Sequence, residues 1–86
     1  MERLARRFVD EVLTNETGQI LTLNEALAFF RLLLKEKNLP DIKRSDFRAV
    51  MVPLVREQFN VALRNDLRSG GGRGWKGVKM LQSSPN

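Results

Sequence analysis

The apolar period of this chain changes for good only late. Up to residue 59 the apolar residues recur at helical spacing, apart from the short "QILTL". From there Phe59, Val61 and Leu63 alternate with polar or small residues, which suits a half-buried strand. "LRNDLRSGGGRGWKGVKML", residues 63–81, comes next, with five of the fifteen basic residues and five of the six glycines. Beyond the glycines, Trp75, Val78, Met80 and Leu81 offer a returning strand. A helical body closed by a β-hairpin with a cationic, glycine-rich tip is the fold this pattern demands.

The body reads as three helices. Leu4, Phe8, Val9, Val12 and Leu13 share one face of a helix over 2–14, and "NETG" stops it, with Gly18 free to take a left-handed conformation. "QILTL" is short and β-prone, and reads as an isolated strand. "TLNE" at 22–25 is a capping box, in which Thr22 and Glu25 satisfy each other's backbone amides. The helix it opens extends to about Lys37 and buries Leu23, Ala26, Leu27, Phe30, Leu33 and Leu34. Pro40 ends it by disfavouring helix in the residue before. Ser45 is the expected N-cap of a third helix reaching Phe59, with Phe47, Val50, Met51, Leu54 and Val55 inward. Pro53 lacks the amide proton for its turn, so a kink or break is expected there. Residues 1–81 make one domain, and "QSSPN" at 82–86 is expected to be a disordered tail.

With 86 residues and no cysteine or histidine, the chain has no disulfide frame, no thiolate and no imidazole. Its carboxylates show no recurring spacing that would hold a metal. No catalytic residue, metal or cofactor is therefore expected, and the chain reads as a binding module and not an enzyme. No apolar run is long enough to span a membrane, "MERLARRF" is not a secretory signal, and a cytoplasmic setting is expected. Charge is segregated: residues 1–42 carry six basic and seven acidic groups, and residues 43–86 carry nine and three. A polyanion is the partner this imbalance suits.

Helix, strand, helix, helix and hairpin is the layout of a winged helix-turn-helix, mainly α with a small β-hairpin. There the third helix enters the major groove and the wing rests on the neighbouring backbone. Glycines at 70–72 would allow close approach to phosphate, with arginine and lysine alongside. A phosphate-binding P-loop is excluded, because tryptophan precedes Lys76 and glycine follows it. An arginine–glycine RNA tract would not end in an apolar strand.

The run "FVDEVLTNETGQILTLNEALAFFRLLLKEKNLPDIKRSDFRAVM…GWKGVKML" resembles the C-terminal winged-helix domain of phage, plasmid and poxvirus-type primase–helicases, over residues 8–81. The likeness lies in an aromatic–arginine pair in "FFRLLLKEKNLP", a serine-led "SDF" and a closing "GVKML". It implies a DNA-contacting domain in replication, attached in that family to an ATP-driven helicase. This sequence has no Walker motif, so an excised domain or a free-standing relative is expected.

The candidate interface follows from these readings. Lys43, Arg44 and Ser45 suit phosphate contact at the start of the third helix, and Arg48 is the candidate for base contact. Arg64, Arg68, Arg73, Lys76 and Lys79 supply the wing. Trp75 either anchors the wing or stacks on an exposed base. Phe29 and Phe30 are adjacent, and whichever points outward would mark a protein-partner or homodimer surface. Duplex DNA is favoured over RNA, and a protein-docking module is the alternative. Arg3, Arg6 and Arg7 would extend a phosphate surface, diluted by nearby acids.

Overall fold

A computed structural model of the chain describes residues 2–65 and 72–81. The expected tail at 82–86, Arg68, and Gly70 and Gly71 of the wing tip lie outside the described residues. Five elements follow one another: α1 (Glu2–Val12), β1 (Leu13–Thr22), α2 (Leu23–Glu36), α3 (Arg44–Phe59) and β2 (Gly74–Met80). β1 and β2 pair antiparallel, making a small sheet beside the three helices. None of the described helices is long and apolar enough to cross a membrane.

α1 buries Ala5, Phe8 and Val9 and stops two residues earlier than its apolar spacing suggests. Leu13, expected as helix, opens β1 opposite Met80, and the "NETG" stop lies inside that strand. "QILTL" is correspondingly not isolated: Ile20, Leu21 and Thr22 pair with Lys76, Trp75 and Gly74. Between Asn15–Val78 and Ile20–Lys76 the register slips, so residues 16–19 stand against Gly77 alone. Gly18 and Gly77 both adopt φ of +87°, a backbone that suits glycine. This slip has a packing consequence. Trp75 and Val78, three apart, would face opposite sides of a regular strand, yet both are fully buried.

α2 starts with the expected capping box, Thr22 Oγ1 accepting from the Glu25 amide at 3.1 Å and Glu25 Oε1 accepting from the Thr22 amide at 3.1 Å. Its end is set before Pro40. Asn38 turns left-handed (φ 56°), while Asn38 N–H donates to the Lys35 carbonyl and Leu39 N–H to that of Leu34. These two bonds complete a Schellman stop.

α3 ends at Phe59 as expected, but differs from expectation at its start and in its middle. Lys43, not Ser45, is the N-cap, and it makes no side-chain cap bond. Ser45 lies inside the first turn. The helix runs through Pro53 without a break; Pro53 and Ala49 are both exposed, so water can take the carbonyl the missing amide leaves free. Asn60, left-handed at φ 57°, closes the helix directly after Phe59. Residues 61–63 form no strand, and among the described residues the expected hairpin is reduced to one bridge between Arg64 and Gly74. Half-buried Val61 and Leu63 still pack against the core.

That core joins α1, α2, α3 and the sheet, and no charged or polar side chain is buried among the described residues. Phe8 meets both Phe29 and Phe30, ring centroids 5.9 and 5.4 Å apart, and Phe30 meets Phe47 at 5.1 Å. Neither Phe29 nor Phe30 points outward, at 5% and 0% exposure. Two adjacent aromatics can both be interior because α2 is covered on two neighbouring sides. The partner surface expected of them is thereby corrected.

Candidate nucleic-acid interface

α3 buries Phe47, Met51, Leu54 and Val55. Helical spacing then turns Ser45, Ala49, Pro53 and Arg56 outward and separates the charges between the two flanks. Asp46 and Glu57 share one flank. Glu57 reaches Arg6 of α1 at 3.9 Å, and Asp46 lies beside Asp41 and Ile42 of the linker before the helix. Arg48 leaves from the other flank, toward the segment that follows α3.

There it meets the base of the wing. Arg48, Leu63, Arg64, Asn65 and Arg73 surround an open concavity of about 330 Å³. Among the described residues no carboxylate borders it, and neither Arg48 nor Arg73 has an ion-pair partner. The backbones presenting these arginines are fixed. Arg64 and Gly74 exchange both backbone hydrogen bonds, each 2.9 Å, and the Arg73 carbonyl accepts the Leu23 amide at 2.8 Å. Arg48 sits inside a helix. Arg48 and Arg73 facing one polar hollow repel each other, and a multivalent anion would relieve that repulsion.

The other expected residues are dispersed. Lys43 and Arg44 are exposed at the start of α3, with Lys43 bordering a separate hollow that also holds Asp41 and Asp46. Lys76 is exposed on β2 opposite Ile20. Lys79 lies near the far end of that strand and pairs with Glu16 at 3.0 Å, so it stands apart from the wing base. Trp75 is 0% exposed, which fits the anchoring reading and sets stacking on a base aside. Its Nε1 is buried without a hydrogen-bond partner. Arg6 and Arg7 of α1 face Glu2, Glu57 and Glu11 and add little free charge to a phosphate surface.

Two features escaped sequence reasoning. Leu63 and Asn65 border the arginine hollow, but nothing in their spacing marks them. Leu32 and Leu39, 42% and 44% exposed, flank a groove with Ala28, Arg31, Leu34, Lys35 and Asp41. Leu32 follows Arg31 in an apolar run, and only the placement of α2 shows which leucine stays outside. Arg31 holds that corner together, reaching Asp41 at 3.2 Å and the Ile42 carbonyl at 3.0 Å. No group of acidic side chains suited to a metal ion occurs among the described residues. No protein-family model matches the chain, and no curated protein matches it.

Proposed function

We propose that the chain is a nucleic-acid-binding module of winged-helix type that engages duplex DNA through α3 and the base of its wing, without catalysis of its own. One observation carries this reading: Arg48 from α3 and Arg64 and Arg73 from the wing border a single hollow with no carboxylate among its described lining residues. The element order supports it, with a helix, a strand, two helices and a returning strand that pairs with the first. In this reading Lys43, Arg44, Lys76 and the wing tip, including Arg68, add phosphate contacts that fix affinity and register. Replication is the setting suggested by the likeness to primase–helicase winged-helix domains. The test is duplex binding by the purified chain and by a variant carrying Arg68→Glu and Arg73→Glu, which is expected to abolish it.

A second reading is favoured by Leu32 and Leu39. Exposed leucines beside a groove of about 470 Å³ suit a protein contact. Under that reading the same charge reversals would leave partner binding intact.

A further inference from the structure

We infer that the hollow between α3 and the wing base is a discrete seat for a phosphate oxyanion, and that Arg48 belongs to this seat and not to base recognition. The inference rests on the nucleic-acid reading and deepens it by naming the chemical group bound and its consequence for specificity.

Arg48 shares its hollow with Arg64, Arg73, Asn65 and Leu63, and none of the outward residues of α3 lines it. Guanidinium groups present paired N–H donors that match phosphate oxygens, and the Asn65 amide adds a neutral donor. Arg48 and Arg73 carry the seat, since both are without an ion-pair partner among the described residues. Their backbones are ordered before any ligand arrives: Arg48 is helical, and Arg73 is tied to Leu23 at 2.8 Å beside the doubly bonded Arg64–Gly74 pair. At these two arginines it is side-chain freedom that remains to be lost on binding.

Engaging Arg48 in this way leaves the outer face of α3 poor in base-reading groups. Ser45, Ala49, Pro53 and Arg56 remain there, and of these only Arg56 has the paired donors that recognise guanine. Binding should accordingly follow backbone charge and shape, with little preference among sequences.

Two sources of this ligand chemistry are distinguishable, a nucleic-acid backbone and a small phosphate compound. The full chain would be titrated calorimetrically with inorganic pyrophosphate in phosphate-free, low-salt buffer. Single-site saturable binding is expected, weakened by about tenfold or more in Arg48→Gln and in Arg73→Gln. Lys35→Gln, which removes a cation from the Leu32 groove, should bind like the parent. Equal weakening by all three substitutions, or no saturable binding, would overturn the seat. Displacement of a bound duplex by pyrophosphate identifies the backbone as the source, whereas pyrophosphate binding without duplex binding identifies a small phosphate and removes the nucleic-acid reading alone. Duplex binding without pyrophosphate binding leaves that reading standing and sinks the seat. Finally, two duplexes of unrelated sequence should bind within about threefold of each other, and strong preference for one would return Arg48 to base contact.

Discussion

Gly74 lies against the backbone carbonyl of Leu21, leaving no room for a Cβ. The same residue is paired on both sides, with Thr22 of β1 and with Arg64 of the wing base. It is the junction through which the wing is attached to the sheet.

Gly74→Ala should therefore destabilise the fold by about 1–3 kcal/mol, because its neighbours are backbone atoms that cannot move aside. Chemical denaturation would measure this. Gly77→Ala meets nothing within 4 Å and suffers only from its φ of +87°, a penalty of roughly 1–2 kcal/mol. The two variants should differ in another way: Gly74→Ala should also weaken nucleic-acid binding by loosening Arg64 and Arg73.

Trp75 is the only tryptophan, and it is fully buried. Its emission should be blue-shifted, protected from iodide quenching, and unquenched by added single-stranded nucleic acid. Strong quenching by a single strand would revive the stacking role. Trp75→Ala should cost about 3–5 kcal/mol, enough to unfold much of a chain this small. Trp75→Phe should cost clearly less, since it also removes the unpartnered Nε1.

Phe29 and Phe30 test the packing of α2. Each replaced by alanine should lower stability by about 3–5 kcal/mol, as expected of buried aromatics sharing Phe8. A Phe29→Ala variant as stable as the parent would show that this ring is outside the core.

What the chain reveals before folding depends on how local the signal is. The capping box of α2 spans four residues, and Thr22 and Glu25 are found as read. The inward faces of α1 and α3 were equally legible, because helical burial repeats within a few turns. β1 was legible only at its apolar end, since "NETG" at 15–18 reads as a stop. Its partner lies more than fifty residues away, and only pairing with β2 makes a strand of it. The alternation at 59–63 misled for a related reason: Asn60 can take a left-handed turn, so the segment caps α3 instead of joining the sheet. Arg48, Arg64 and Arg73 were each recognisable as basic residues near the right elements. Their convergence on one hollow is a property of the fold, and so is the loss of Lys79 to Glu16.

Lys79 and Lys76 make a matched pair for binding assays. Both are on β2, but among the described residues only Lys79 is held by a carboxylate, that of Glu16. Lys76→Gln should weaken duplex binding and make its salt dependence shallower by about 0.9, the value for one phosphate contact. Lys79→Gln should change neither by much. Equal effects would place the contact surface along the whole strand instead of at the wing.

The most direct measurement is affinity for a random-sequence duplex across a salt series, for the parent chain and for a variant carrying Arg48→Gln and Arg73→Gln. With about five phosphate contacts, the slope of log K against log salt should lie near −4 to −5 for the parent, and be shallower by about 1.8 in the variant. Binding that ignores salt, an unchanged slope in the variant, or no binding at low salt would contradict the account.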